Sequence, residues 1–508
     1  MNAMLKKLIA FTLVLTTIFT FSVGCNDSSK QGTTGNKDAT TTHSEGNEEP
    51  AKLVIAFITG SNLTDLQKVN DAINEITREE INAEIELKQL SWANFTDQFN
   101  LMLASTSEQL DLMPVMANLY PSYVATGKLQ NMTSAIEQFG QDIVKNVGEQ
   151  FIAAGQVEGK QYGVPAIMGW PSSTAFVVRK DKLDLTGYDI NSIKKVADIT
   201  PILQKITELD SESLPPLVPE SGYLEQYKTY DPLNDSFGVL LNYGNNLDVV
   251  NWFETQEYAD LVSLMHEWNQ AGYIMPDAEI TQDVGSILIK NGAGYGMIRN
   301  GSPGAGETET MTTGHEMVQA NICDALSTTA SVIGVQWSVP VNSKNVDKAV
   351  EMLNLMYSDE RIANLLAYGI EGTHYVKNDD GTIGYPEGMT ADTSPYMPNT
   401  AWQMGNQFIT HVWEGNAPDY NEQLKNFNES SNVSKALGFL WDPTNVTTEI
   451  TAVSNVASQY RPALECGAVD PEEVLPQFIE ALKDAGIDRI IEEKQTQLDN
   501  WAAANGID

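Results

Sequence analysis

The 508-residue sequence is poor in cysteine, histidine and positive charge. Its three cysteines, Cys25, Cys323 and Cys466, are too few for a disulfide framework and too dispersed for a zinc knuckle. Cys323 and Cys466 fit either one bridge or two free thiols. The five histidines are scattered, and neither His266-Glu267 nor His315-Glu316 is followed by the second His of a zinc-protease helix. No metal site and no cofactor are expected. Lys and Arg total 30 against 68 Asp and Glu, a net charge of −38. Such a surface repels phosphate backbones, which excludes a nucleic-acid partner. Gly292-Ala293-Gly294-Tyr295-Gly296 lacks the spacing and the Lys-Ser/Thr ending of a phosphate cradle. No serine has glycine two residues before and two after it, so there is no nucleophile elbow. The acids offer carboxylate pairs in number, but the pattern singles out none, and no catalytic residue is assigned.

What is present begins at the N-terminus. Met1 to Lys7 carries two lysines and no acid, and Leu8 to Gly24 is a weakly polar-to-apolar run short for a membrane span. It ends in Ser22-Val23-Gly24-Cys25, which resembles a bacterial lipobox with Ser22 in place of the commoner Leu. Residues 1–24 are therefore expected to be a signal peptide and Cys25 the lipidated residue. Residues 25–50 hold no large apolar side chain and are expected to be a disordered tether. Losing Lys6 and Lys7 with the signal leaves 28 cations against 68 acids, a net charge of −40. The expected location is the outer face of the cell membrane, held by lipid alone, as in Gram-positive lipoproteins.

From Ala51 the pattern alternates strand and helix. Leu53 to Ile58 is a continuous apolar run suited to a buried parallel strand. Leu66, Val69, Ile73 and Ile76 then recur at helical spacing. Ile85 and Leu87 alternate with charge, Phe95 to Leu103 is a second helical stripe, and Leu112 to Met116 reads as another strand. The fold class is α/β with a parallel sheet. Ligands of such sheets sit beyond the carboxyl ends of the strands, here near Gly60, Trp92 and Asn118. Ser172 to Ala330 mixes helices and loops, with a clear helix through Tyr258 to Trp268 that stops at Gly272. Later helices run from Val346 to Tyr357 and from a cap at Ser358 to Gly369. Asp470-Pro471-Glu472-Glu473 starts another helix, Gly486 ends it, and a last helix spans Ile487 to Ala504.

Nine tryptophans are present, several outside any helical stripe: Trp92, Trp170, Trp337 and Trp441 sit beside Gly, Pro, Asn, Asp or Ser. A sugar ring has an apolar C–H face and a belt of hydroxyls. It is held by an aromatic platform with amides or carboxylates around its edge. Trp170 and Trp402 are candidates for such a platform, whereas Trp268 and Trp501 fall on helical core stripes.

Several ordered strings resemble extracellular solute-binding proteins of ABC importers, family 1, in a subgroup of Gram-positive lipoproteins. They include Gly159-Lys160-Gln161-Tyr162-Gly163-Val164-Pro165, Val339-Pro340-Val341-Asn342-Ser343-Lys344-Asn345 and Gly369-Ile370-Glu371-Gly372-Thr373-His374-Tyr375. Trp402 with Gly405-Asn406-Gln407-Phe408, then Gly438-Phe439 and Gln497-Leu498-Asp499, complete the series. Cys466, in a Leu-Glu-x-Gly turn, departs from it. The resemblance implies a two-lobe, type II periplasmic-binding-protein-like α/β fold with hinge crossovers, closing on a solute. It also implies delivery to ABC permease subunits and a monomeric, non-enzymatic protein. Placed on that plan, lobe one takes 51–166 and 338–400, and lobe two takes 167–337 and 401–508. The cleft-lining candidates are then Trp92, Asn118, Trp170, Asn300, Ser302, Trp337, His374, Tyr375, Trp402, Asn406 and Trp441. The expected ligand is a carbohydrate, specifically an oligosaccharide. The alternatives are a peptide or other polar solute, or a surface glycan-degrading enzyme with two carboxylates facing across the cleft.

Overall fold

The computed structural model describes residues 49–507, apart from 106, 211–213, 221 and 225–226. The signal segment 1–24, Cys25 and the tether up to residue 48 lie outside the described residues. In chain order, the principal elements begin with β1 (Ala51–Thr59), α1 (Leu66–Glu80), β2 (Ala83–Ser91), α2 (Phe95–Ala104) and β3 (Met113–Met116). They continue with α3 (Tyr120–Ala125), β4 (Val164–Pro165), β5 (Ser173–Arg179), α4 (Gln256–Gln270), β6 (Gly296–Gly301) and β7 (Met317–Asn321). Next come β8 (Val335–Ser338), α5 (Val346–Ser358) and α6 (Glu360–Tyr368). Three helices close the chain: α7 (Thr447–Glu465), α8 (Pro471–Ala485) and α9 (Ile487–Asn505).

β1 and β2 run parallel, Ala51 opposite Ala83 through Thr59 opposite Ser91. The crossover α1 turns Val69 and Ile73 onto them, with Asn70 and Asn74 on the same buried face. Those two amides have a specific task, because β2 has backbone groups that β1 cannot reach. Asn74 bonds both the N–H and the carbonyl of Ile85, and Asn70 Oδ1 accepts from Leu87 N at 2.8 Å. The strand edge is thus satisfied by side chains rather than left open for another strand.

A bridge between Ile55 and Leu112 joins this pair to a second sheet, in which β8 lies antiparallel between β3 and β4. A separate sheet is built on β5, with β6 and β7 antiparallel on its two sides. All of β5 except Arg179 is buried, so its side chains Ser173 to Val178 show no inside–outside alternation. Two main hydrophobic cores result. One collects side chains between Leu53 and Trp170 and between Val332 and Met404; the other collects Phe176 to Ile322 and Ala436 to Leu498.

The last helices cover the second core with Val453, Leu464, Phe478, Leu482, Ile490 and Leu498. α8 begins as its sequence requires: Asp470 caps Glu472 N at 2.9 Å, Pro471 occupies the first turn, and two acids face the positive helix end. Gly486 ends it in a left-handed turn at φ 100°.

Two sequence expectations are corrected. The cap of α6 is Asp359, whose carboxylate accepts from Arg361 N at 2.8 Å; Ser358 still belongs to α5 and bonds back to Asn354 O at 2.8 Å. The segment 401–409, assigned to the second lobe, packs instead on the first core through Met404, Trp402 and Phe408. Of the two thiol alternatives, the structure holds free Cys323 and Cys466.

Candidate functional site

β1, β2 and β3 end on one rim, which carries Gly60, Trp92 and Asn118. Trp92 remains 42% exposed there. Its ring stacks on Trp402 at 5.9 Å and 15°, and its other neighbour is Phe95, met edge-on at 5.7 Å. Trp402 is held in turn by donating its indole N–H to Asn399 O at 3.3 Å. Gly60 lies beside this pair: a Cβ there would make an ordinary contact, 3.8 Å from the Trp92 ring.

Beyond β3 the rim opens into a cleft of about 860 Å³ that separates elements of the two cores. One wall is Asn118, the exposed side of α3, Glu158 and Tyr162; the other is Asp231, Leu233, Asn234 and Phe439 to Thr444. The floor is Thr329, Ala330 and Ile333, just before β8 carries the chain into the first sheet. Among the described lining residues there are three acids, Glu158, Asp231 and Asp442, and neither Lys nor Arg. Burial pushes the Asp231 carboxyl above the usual carboxylate range, against opposing hydrogen bonds from Ser434 and Leu233 N. Trp441 is 8% exposed, donates its indole N–H to Asp235 Oδ2 at 3.0 Å, and lines the cleft. Asp442 is oriented by accepting from Thr444 N at 3.0 Å and Thr444 Oγ1 at 2.6 Å. The arrangement offers apolar ring surface with amide and carboxylate edges.

Of the sequence-assigned residues, Asn118 and Trp441 line this cleft, and Trp92 and Trp402 form the stacked pair on the first sheet's rim. Asn300 is exposed on β6 opposite Thr174, and Ser302 follows that strand half-buried, its carbonyl accepting from Gln319 Nε2 at 3.0 Å. Neither lies in the cleft lining.

Five others sit inward, in contacts within the protein. Trp170 is 6% exposed against Phe151, and its indole N–H is spent on Ala166 O at 2.8 Å. Trp337 is fully buried on β8 with its N–H on Gln403 O. His374 is buried, accepts from Ile370 N at 2.9 Å through Nδ1, and reaches Asp65 Oδ2 at 3.3 Å through Nε2. Desolvation holds its imidazole below the usual range although Asp65 pulls the other way. Tyr375 is buried beside Tyr368 and His411. Asn406 caps a short turn by accepting from Phe408 N at 3.0 Å and donates to Tyr357 O at 3.1 Å. The family plan sets these residues near crossovers and strand ends, but buried backbone there must satisfy its own polar groups, and Trp170, Trp337, His374 and Asn406 do that.

Sequence reasoning passed over Tyr162, Glu158, Asp231, Asn234 and Phe439 as lining residues. Tyr162 and Phe439 stood inside strings already singled out, which was the available signal. Nothing local marks Asp231 or Asn234.

Two bodies with separate cores and a polar, aromatic-walled cleft between them define a two-lobe solute-binding protein. The chain belongs to the bacterial extracellular solute-binding protein family, whose model matches residues 71–374. Residues 435–503 match a second model, a domain of unknown function (DUF3502). A carbohydrate ABC transporter substrate-binding protein of Streptococcus pneumoniae serotype 4 is 25% identical over 433 residues, 84% of this chain and 86% of that protein. The crystal structure of the N-glycan transport solute-binding protein NgtS from Streptococcus pneumoniae has a TM-score of 0.76. It is 23% identical and covers 89% of this chain and 98% of its own. The same protein in complex with Man1GlcNAc scores 0.63 at 22% identity, covering 89% and 99%.

Proposed function

We propose that this protein captures a carbohydrate, specifically an oligosaccharide, in the cleft and delivers it to an ABC permease. The observation that carries the reading is the cleft wall itself. Tyr162, Phe439 and Trp441 offer ring surface, Asn118, Asn234, Glu158 and Asp442 stand beside them, and no cation is among the described lining. A neutral ligand with alternating apolar faces and hydroxyls uses both kinds of group, whereas a polyanion would meet only acids. The names of the pneumococcal relatives support the same ligand class. Lipid attachment at Cys25, outside the membrane, completes the proposed role. The lobes divide near 166–172 and 332–338, with the return to the second lobe after 409, and the protein acts as a monomer. Each lobe holds part of the cleft, so a solute contacts both fully only when they close. Binding then shifts an open–closed equilibrium by its difference in affinity for the two states.

The test is a thermal-shift titration with Man1GlcNAc, larger mannose-containing glycans and a mixed tetrapeptide set. A ligand that prefers the native state raises Tm by mass action. The expected result is stabilisation by a glycan recovered intact, confirmed by mass spectrometry. Stabilisation by peptides alone, or glycan cleavage, would replace this reading.

A further inference from the structure

The cleft wall formed by residues 231–238 has backbone geometry that its own sequence does not favour. Leu233, Asn234 and Ser236 all have positive φ, at 44°, 83° and 64°. Asparagine tolerates this region, but a leucine there is a genuine outlier. Residues in such conformations persist only where their surroundings over-determine them. The surroundings here converge on one side chain from the domain of unknown function, Lys494 on α9.

Lys494 is completely buried, and its ammonium directs its donors at Asp235 Oδ1, at Phe237 O (3.1 Å) and at Gly238 O (3.0 Å). Asp235 in turn accepts from Phe237 N at 2.9 Å and from the Trp441 indole at 3.0 Å. The same ammonium lies 5.3 Å from the Trp441 ring centre. Gly238 sits tightly between its neighbours: a Cβ there would stand 2.9 Å from Val249 and 3.1 Å from Ile491 on α9, with Lys494 Cδ in ordinary contact at 3.5 Å. One buried cation therefore ties the end of the strained loop to the tryptophan beside it. Leu233, Asn234 and Trp441 all face the cleft.

We infer that Lys494 is a positioning residue for the solute cleft, fixing loop 231–238 and Trp441 in the geometry in which both form one wall. The inference rests on the cleft being the solute site. It gives the C-terminal domain a task in binding beyond covering the second core.

The experiment compares the full chain with Lys494→Met. Three readouts are taken: amide exchange of residues 232–238, the ¹⁹F resonance of Trp441 in 5-fluorotryptophan protein (assigned with Trp441→Phe), and affinity for Man1GlcNAc. The expected result is at least tenfold faster exchange in 232–238 with α4 unchanged, a shifted or broadened Trp441 resonance, and at least tenfold weaker binding. If Lys494→Met does not fold, Asp235→Asn/Lys494→Met removes both members of the ion pair and is read in the same way. Unchanged exchange and resonance would overturn the inference, as would a freed loop with wild-type affinity. Should the wild-type chain ignore the glycan, the carbohydrate reading fails. Exchange and ¹⁹F data alone then decide whether Lys494 fixes the wall.

Discussion

Trp170 and Trp92 look alike in the sequence, each beside small or turn-forming residues, but the structure assigns them opposite energetics. Trp170→Ala removes a ring that is 6% exposed, packed against Phe151, and leaves Ala166 O without its donor. Large aromatic truncations in a core cost about 3–5 kcal/mol, and an orphaned buried acceptor adds about 1 kcal/mol. Trp92→Ala removes a ring that is 42% exposed and gives up chiefly its contacts with Trp402 and Phe95. Such pairs are worth about 0.5–1.5 kcal/mol each, so the loss should stay near 1–2 kcal/mol. With a urea slope of about 2–3 kcal/mol/M, the midpoint falls by about 1.3–3 M for Trp170→Ala and by about 0.3–1 M for Trp92→Ala. Circular dichroism across a urea series measures both. If the rim pair is a sugar platform, Trp92→Ala also weakens Man1GlcNAc binding about tenfold, or 1.4 kcal/mol, in a protein that remains folded. A Trp170→Ala midpoint within 0.5 M of wild type would refute the core assignment. Equal losses for the two variants would refute the distinction between platform and core.

Gly405 has φ 81°, and a Cβ there would approach Met356 O to 2.5 Å, so Gly405→Ala should cost about 2–4 kcal/mol in urea unfolding. A loss below 1 kcal/mol would show that the backbone can yield. Burial depresses the folded-state pKa of His374 and His411, so the unfolded chain binds more protons as pH falls below about 6.5. Their contribution is therefore full above that value and is lost on acidification towards the folded pKa. His374→Asn should lose less stability than wild type between pH 7.5 and 5.5, and an identical loss would refute the role of this imidazole. Burial pushes the Cys466 thiol up to about 11 and raises Cys323 as well, so both should alkylate at pH 8 only after denaturation. A Cys323–Cys466 disulfide peptide in the mass spectrum would contradict the free thiols.

The first lobe was legible because its strands and helices are set by short-range periodicity. Leu53 to Ile58, the stripe through Val69 and Ile73, and the alternation at Ile85 and Leu87 each reach the predicted element. The helix starts at Asp470-Pro471 and the stop at Gly486 were readable for the same reason, since caps are local chemistry. β5, β6 and β7 were missed: a strand buried on both faces, such as Ser173–Arg179, has no alternation to separate it from a buried helix. The candidate site was only partly legible. Strand-end geometry found Trp92 and Asn118, and an aromatic beside a turn found Trp441. A place near a crossover or strand end does not report burial, however, and Trp170, Trp337, His374, Tyr375 and Asn406 lie inward.

What no local pattern could give is the wall opposite the first sheet. It brings Asp231 and Asn234 together with Trp441, which lies far from them in sequence, and all three meet Asn118 and Tyr162 only across the cleft. Charge gives the same contrast between global and local readings. The chain's net charge of −38 disfavours polyanionic partners but says nothing about what does bind. Within the cleft, Asp231 is buried with its carboxyl pushed towards the neutral form, while Asp442 is already oriented by Thr444. The described lining therefore holds one acid moved towards neutrality and two fixed or exposed carboxylates, beside three aromatic rings. Carboxylate and amide acceptors in that setting suit hydroxyl donors, and the rings suit C–H faces. A polyanionic solute would meet only acids there. On the proposed reading, the arrangement therefore suits a neutral polyhydroxylated ligand better than a polyanionic one.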